Sequence, residues 1–140
     1  CGSNNINLLF PSGQFGTRRL GGKDASSPRY IFTQLSNLTR QIFITKDEPI
    51  LEQVVEEGDL VEPVRYYPII PMLLVNGSEG IGTGFSTNIP SFNPLDLIAN
   101  IRLYLTGTHV DKLNELVPWY SGYTGKIEKS VDKKNQTKGF

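Results

Sequence analysis

The sequence has few of the residues that build disulfide bonds, metal sites and hydrolytic triads. Its 140 residues include one cysteine, Cys1, and one histidine, His109. A single cysteine excludes an internal disulfide framework and fits a reducing compartment. His109 has no neighbouring His or Cys, so neither a metal site nor a serine or cysteine hydrolase is predicted. Long apolar runs are also missing. None approaches the roughly 18 residues that span a bilayer, and no membrane partner is predicted.

The formal net charge of the chain is zero, because 14 basic residues balance 14 acidic ones. The overall field therefore gives no support for a nucleic-acid partner. The charges are unevenly placed, however. Residues 13–30 contain four basic residues and one acid, Asp24, whereas residues 47–62 contain seven acids. A neutral chain can thus present a local cationic surface. The acidic segment is interpreted as a solvated helix face and loop rather than as a magnesium cluster.

The composition is that of a folded domain, and both ends are polar. Hydrophobic residues make up 38% of the chain, which is enough for a core and excludes disorder of the whole. The chain opens with CGSNNINLLF, without an initiator Met or a signal-peptide layout, and closes with DKKNQTKGF. We therefore expect about one domain, excised from a longer protein.

Two residue pairs that end in proline predict the starts of helices. Ser27-Pro28 supplies an N-cap and a first helical residue, and apolar residues at helical spacing behind it predict a helix over 28–43. Asn93-Pro94 starts a second helix, which Gly107 closes. Weaker patterns predict a helix over 50–57, an extended segment over 60–67, a β-like segment over 67–76 and a strand around turns over 119–127. Mixed helices and strands indicate an α+β fold.

The best candidate for chemistry lies between Gly13 and Thr33, where the chain reads GQFGTRRLGGKDASSPRYIFT. A glycine-rich loop leads into the predicted helix start, where Arg29 and Tyr30 occupy the first turn. The loop carries three more cations, which could converge on a bound phosphate: Arg18, Arg19 and Lys23. This arrangement would suit the binding of a phosphodiester.

Tyr30 could act there as a nucleophile. A free phenol has a pKa of about 10 and is a poor nucleophile at neutral pH. Arg29, the loop cations and the N–H groups of a helix start would stabilise a phenolate and also the transition state of an attacked phosphate. The residues therefore allow a phosphotyrosyl intermediate. Taken alone, they favour the plainer interpretation of a half-buried tyrosine beside a surface arginine.

A second glycine-rich stretch, NGSEGIGTGFS, covers residues 76–86. A nucleotide-binding loop is not predicted there, because the third glycine of the dinucleotide spacing is missing and Pro90 follows where a helix would have to continue. Ile81 stands among these glycines at a predicted loop tip. It either plugs a small core or is an exposed wedge that enters between DNA base steps.

Three blocks together resemble the breakage–reunion core of the type IIA DNA topoisomerases, in their eukaryotic form. They are GQFGTRRLGGKDASSPRYIFT, YYPIIPMLLVNGSEGIGTGFSTNIPSFNPLDLIANIR and PWYSGYTGKIE. Their order and spacing agree with the family over roughly residues 2–127. The tail after Glu128 carries no information of this kind.

The resemblance implies roles for individual residues. Tyr30 matches the nucleophile that becomes linked to the 5′ end of DNA, and Arg29 matches the arginine that holds the scissile phosphate. Lys23 lies in the block that contacts DNA near the cut. Ile81 matches the isoleucine that inserts between base pairs and bends the duplex. Gln14 falls where inhibitors approach the cleavage site in some relatives, so it is placed among the DNA-contacting residues without a catalytic role.

The resemblance also implies an architecture and a complete reaction. Residues 1–63 resemble the later part of a winged-helix domain, and residues 64–140 the start of a mixed α/β tower domain. The whole enzyme is a homodimer that cuts both strands of double-stranded DNA, passes a second duplex and reseals. It uses ATP and Mg²⁺ that are bound outside this chain, so the chain alone should not cleave efficiently. The implied location is the nucleus, or the host cytoplasm if the protein is viral. A non-catalytic DNA-binding module on the same scaffold remains the alternative.

Overall fold

The computed structural model describes residues 4–128, 130–131 and 138–139. It divides into two compact units, Cys1–Pro71 and Met72–Phe140. Each unit combines short helices with antiparallel strand pairs, so the predicted α+β class is confirmed. Within the described residues, no helix is long and apolar enough to cross a membrane. The predicted domain boundary at residues 63 and 64 stays a prediction.

The first unit, over the residues that the structure describes, contains one short α-helix and one hairpin. Helix α1 is Thr39–Ile42, and strands β1 (Gln53–Glu56) and β2 (Asp59–Pro63) pair antiparallel. Its core includes Ile42 and Ile70, which are buried, and the amide of Ile69 donates to the carbonyl of Ile42 at 2.9 Å. Three 3₁₀ segments complete the unit: Arg18–Leu20, Pro28–Tyr30 and Thr45–Ile50.

The predicted helix over 28–43 is wrong. A single 3₁₀ turn, Pro28–Tyr30, opens the segment, and Ile31 is already extended with φ −97° and ψ 118°. Leu35 then forms an antiparallel bridge with Leu9. The Phe10 amide donates to the Gln34 carbonyl at 2.8 Å, and the Ser36 amide donates to the Leu8 carbonyl at 2.9 Å. Backbone pairing with a distant segment therefore replaces the helical hydrogen bonds, and helix resumes only at Thr39.

The predicted helix over 50–57 is also wrong, because Gln53–Glu56 is a strand. Glu57 and Gly58 both have positive φ, 52° and 95°, as a two-residue hairpin turn requires. That turn brings β2 alongside the β-branched residues of β1. The predicted extended segment over 60–67 is confirmed for its first part, which lies in β2.

Among its described residues, the second unit contains two α-helices and a hairpin. Helix α2 is Met72–Asn76, strands β3 (Ser78–Gly82) and β4 (Phe85–Ile89) pair antiparallel, and α3 is Pro94–Leu105. A 3₁₀ turn, Val110–Lys112, and a short strand pair follow, β5 (Ser130–Val131) and β6 (Lys138–Gly139). Val75 of α2 is fully buried, and Leu97 of α3 is 3% exposed. These two side chains anchor the core of the unit.

Two β predictions in the second unit are corrected. The β-like segment over 67–76 becomes helix from Met72, directly after Pro71, since proline is tolerated at a helix start but not inside a strand ladder. The segment 119–127 contains turns but no strand. Its amide at Trp119 donates to the Ser91 carbonyl at 2.8 Å, so a single bridge replaces the predicted ladder.

Helix α3 confirms the second helix prediction. The Asn93 side chain accepts a hydrogen bond from the Leu95 amide at 2.9 Å, and Pro94 is the first helical residue. Gly107 follows the helix with φ 91°, a left-handed conformation that favours glycine. Local capping by Asn93 and Gly107 therefore defines this helix at both ends. Within the helix, the buried Asn100 side chain exchanges two 2.9 Å hydrogen bonds with the backbone of Asn114.

Candidate nucleic-acid interface

The glycine-rich segment from Gln14 to Ser26, here called the basic loop, is a loop whose two ends lie next to each other. The Ser26 amide donates to the Gln14 carbonyl at 3.0 Å, which joins the two ends of the loop. Gln14 has a left-handed φ of 58°, which is uncommon for a residue other than glycine. The chain therefore leaves the loop immediately before the Pro28–Tyr30 turn. This places Gln14 beside the start of that turn.

Two glycines allow the basic loop to fold tightly on itself. Gly16 has φ 82°, and a Cβ atom there would lie 2.8 Å from the Gly22 Cα. Gly22 has φ 79°. Across the same narrow point, the Gly22 amide donates to the Thr17 carbonyl at 2.9 Å. The glycines are required because backbone contacts backbone, which no side chain would permit.

An aspartate closes the same part of the loop. One carboxylate oxygen of Asp24 accepts a hydrogen bond from the Thr17 amide at 2.8 Å. This hydrogen bond lowers the pKa of the Asp24 carboxyl below its ordinary 3.8. Asp24 is therefore ionised at neutral pH. Its contribution to loop closure is complete above pH 3.8 and is lost as the pH falls through the lowered pKa.

The basic loop presents three cations with different environments. Arg18 turns back onto the start of the chain, where its guanidinium donates to the Asn4 carbonyl at 3.2 Å and to the Asn5 side chain at 3.3 Å. Arg19 and Lys23 are exposed, and no described residue pairs with either side chain. These two side chains are therefore available to an anionic ligand, whereas Arg18 also tethers the loop.

Arg29 and Tyr30 lie together directly after the basic loop. The Arg29 guanidinium carbon is 4.8 Å from the centre of the Tyr30 ring, which is a cation–π contact. The Tyr30 side chain is 57% exposed. Its backbone is fixed, because its amide donates to the Ser27 carbonyl at 2.9 Å. The structure thus presents an accessible phenol with a cation stacked on its ring, rather than the half-buried tyrosine that the residues alone favoured.

The expected helix dipole is absent from this site. Pro28–Tyr30 is one 3₁₀ turn of three residues, and the Ser27 side chain makes no capping hydrogen bond. A helix macrodipole needs several aligned peptide groups. The positive charge at this site is therefore supplied by the side chains of Arg29 and the basic loop rather than by a helix dipole.

The segment 76–86 forms most of a hairpin instead of a loop. Ile81 lies in β3 opposite Ser86 of β4, and Thr83-Gly84 form the turn. The Ile81 side chain is 97% exposed, so it does not plug the core of the described residues. Of the two interpretations left open by the sequence, the core plug is excluded within the described residues, and insertion between DNA base steps stays a prediction.

Two residues of these segments were missed by the sequence interpretation. Phe85 is 85% exposed and pairs with Gly82 in the hairpin, so it lies on the face opposite Ile81. Asp24 was counted only as a charge. No sequence signal identified it as the acceptor for the Thr17 amide, which only the structure shows.

No metal site is formed by the part of the chain that the structure describes. Among residues 4–128, 130–131 and 138–139, no three His, Cys, Asp or Glu side chains lie close enough together to hold a metal ion. The acids of the β1–β2 hairpin lie on an exposed sheet and its turn. Their surroundings do not fit a bound divalent cation.

Comparison with known sequences finds similarity over nearly the whole chain. The family of the DNA gyrase and topoisomerase IV A-type subunits matches residues 2–139. DNA topoisomerase 2 of Candida albicans is 52% identical over 138 residues, which are 99% of this chain and 9% of that protein. DNA topoisomerase 2 of Pisum sativum is 57% identical over 130 residues, 93% of this chain and 9% of that protein. The chain thus spans less than a tenth of these relatives.

Comparison with solved structures finds the same similarity in three dimensions. The crystal structure of the Plasmodium falciparum topoisomerase II DNA-binding, cleavage and re-ligation domain superposes with a TM-score of 0.77 at 51% identity. The match covers 95% of this chain and 18% of that one. The likeness extends to both units, since only a small part of the chain lies outside it.

Proposed function

The chain belongs to the DNA gyrase/topoisomerase IV family of A-type subunits, and from this premise we propose that it is the DNA-cleaving part of a type IIA DNA topoisomerase. The observation that carries the proposal is the exposed Tyr30 with the Arg29 guanidinium on its ring, directly after the basic loop. Nucleophile, phosphate ligand and loop cations thus come from one continuous segment.

The proposed reaction is a transesterification. The Tyr30 phenol oxygen attacks a backbone phosphorus of double-stranded DNA and loses its proton. A bond forms between the phenol oxygen and phosphorus, the bond from phosphorus to the 3′ oxygen breaks, and that oxygen takes up a proton. The DNA is left with a 5′-phosphotyrosyl end and a free 3′ hydroxyl. Reversal of the same step reseals the strand without a net change in bonds.

The residues of this chain bind and orient the phosphodiester in that scheme. Arg29 is close enough to Tyr30 to hold a phosphate that the phenol contacts, and its planar fork suits two phosphate oxygens at once. As negative charge builds on the phosphoryl oxygens, this contact strengthens. Arg19 and Lys23 neutralise flanking phosphates. Ile81, with its side chain in solvent, enters between base pairs and bends the duplex.

The rest of the reaction belongs to the longer protein. We place the Mg²⁺ and ATP sites outside the described residues, which offer no cluster for a divalent ion. Mg²⁺ would supply charge stabilisation at the transferred phosphate. The homodimer, strand passage and resealing are likewise assigned to the full-length protein. Since the Candida and Pisum relatives are eukaryotic, we place the protein in the nucleus, or in the host cytoplasm if it is viral.

Covalent trapping tests the proposal. The full-length protein that carries this chain is incubated with 5′-labelled and 3′-labelled duplexes and Mg²⁺, then denatured. We expect covalent linkage to 5′ phosphate and, after digestion, a nucleotide-modified peptide that contains Tyr30. DNA binding that depends on salt but leaves no adduct would instead support the non-catalytic DNA-binding module.

Lys23→Ala is expected to weaken DNA binding by the loss of one phosphate contact. Affinity should fall by a similar factor for all sequences, and the slope of log K against log salt should become shallower by about one. Filter binding at several salt concentrations measures both. Lys46→Ala is the matched control, since Lys46 is an exposed lysine in the acidic part of the same unit. An unchanged slope for Lys23→Ala would remove this residue from the interface.

Ile81→Ala is expected to reduce DNA bending while leaving nonspecific affinity largely intact. An inserted side chain offsets an unstacking cost of about a few kcal/mol at one base step, and Ala is too short to do so. Energy transfer between dyes at the two duplex ends measures the bend. Protein stability should hardly change, because the Ile81 side chain is 97% exposed.

Phe85→Ala is the matched control for the wedge. It removes a large exposed side chain from the same hairpin but from the opposite face. Bending should persist in Phe85→Ala and decrease in Ile81→Ala. Equal energy transfer in all three proteins would contradict the wedge role.

A further inference from the structure

We propose that Asp24 is a positioning residue that holds the basic loop in its DNA-binding shape. The inference rests on the proposed function, since it concerns how the same loop meets DNA. Asp24 does not touch the phosphate in this scheme. It acts through Thr17, whose amide donates to the Asp24 carboxylate at 2.8 Å.

The hydrogen bond from the Thr17 amide to the Asp24 carboxylate closes the loop, and we call it the latch. The Thr17 carbonyl accepts hydrogen bonds from the amides of Leu20 and Gly22, at 3.3 Å and 2.9 Å. Its own amide is held by Asp24. The backbone amide and the backbone carbonyl of Thr17 are thus both hydrogen-bonded to groups within residues 17–24. Arg19 and Lys23 project from inside this closed segment, so their positions depend on the latch.

The charge of Asp24 points to a structural demand at this position. An acid beside cations that bind phosphate weakens the attraction for DNA. No described lysine or arginine forms an ion pair with Asp24, so pairing does not offset that effect. The carboxylate instead supplies a hydrogen-bond acceptor whose side-chain length lets it contact the Thr17 amide. A charged acceptor also forms a stronger hydrogen bond to an amide than a neutral one does. The neutral amide of asparagine has an oxygen of similar reach.

Two substitutions separate the latch from the charge. Simple electrostatics predicts that Asp24→Ala and Asp24→Asn both tighten DNA binding, since each removes one negative charge. The latch predicts that the two variants differ from each other. Asp24→Ala should weaken binding by about three- to tenfold, because the cations must be ordered at the moment of binding. Asp24→Asn should bind within about twofold of the unsubstituted protein or more tightly, because it keeps the acceptor.

The experiment uses the full-length protein that carries this chain. Affinity for a short duplex is measured at several salt concentrations, and hydrogen–deuterium exchange is followed in peptides from the basic loop without DNA. Asp59→Ala is the charge control, because Asp59 is an exposed acid in the same unit at the hairpin turn. We expect faster exchange of the loop in Asp24→Ala, near-normal exchange in Asp24→Asn and no loss of affinity in Asp59→Ala.

The outcomes distinguish this inference from the function on which it rests. If Asp24→Ala binds DNA as tightly as the unsubstituted protein, or more tightly, the positioning role is wrong while the proposed function stands. Unchanged loop exchange in Asp24→Ala would likewise overturn the latch. If the unsubstituted protein does not bind DNA at all, the proposed function fails and the inference fails with it.

Discussion

A full-length protein with Tyr30→Phe is expected to bind duplex DNA normally and to form no covalent adduct. The substitution removes only the phenol oxygen. Exposure of the side chain and its stacking under Arg29 leave little reason for a change in folding. Loss of the nucleophile should lower cleavage by on the order of a thousandfold or more, as in other enzymes with covalent intermediates. Gel analysis of denatured plasmid reactions with Mg²⁺ measures the cleaved DNA.

The same substitution at another tyrosine supplies the control. Tyr66 belongs to the same unit and is 57% exposed, like Tyr30. Its ring contacts Phe43 edge-on with centroids 6.0 Å apart. Tyr66→Phe keeps that contact and should cleave normally. Adduct formation by Tyr30→Phe at the unsubstituted level would falsify the assignment of the nucleophile.

Arg29→Ala is expected to lose cleavage far more than DNA binding. Removing a preorganised donor from a developing oxyanion costs about 100- to 1,000-fold in rate. One phosphate contact among several should change affinity by only about tenfold or less. Single-turnover cleavage and filter binding at the same salt concentration separate the two effects. Equal losses in both would reduce Arg29 to a phosphate anchor.

Two further arginine variants refine that result. Arg29→Lys keeps the charge but loses the planar fork, so binding should be retained and cleavage only partly restored. Arg40→Ala removes an exposed arginine of the same unit, whose guanidinium lies 3.5 Å from Glu48. It should leave both binding and cleavage unchanged. Full cleavage by Arg29→Lys would show that a point charge is sufficient.

The two helix predictions show what local sequence can and cannot determine. Helix α3 was predicted because Asn93, Pro94 and Gly107 act within a few residues of the helix ends. The helix over 28–43 was predicted from equally good local signals and does not form. Its Gln34 and Ser36 are paired with residues more than twenty positions earlier. The spacing of apolar residues describes one segment only, so it cannot show that a distant segment will pair with it.

In the candidate site, too, some features follow from local sequence and others depend on distant parts of the chain. Tyr30 and Arg29 could be identified from their motif, and the structure brings them together. The dipole assigned to them depended on the helix and was lost with it. Ile81 could be identified as unusual, but its exposure depended on the hairpin register. The role of Asp24 needed the distance to Thr17, because composition shows it only as an acid among bases.

The contact between Gly16 and Gly22 limits how the basic loop can vary between species. Every single-base change in a glycine codon that alters the residue either adds a Cβ atom or stops translation. At Gly16 that atom would meet the Gly22 backbone at 2.8 Å. The atoms that it would meet belong to the backbone, so no smaller side chain at position 22 removes them and the chain itself would have to shift. The shape of the loop at this point is therefore set by glycine, whatever side chains the loop presents to solvent.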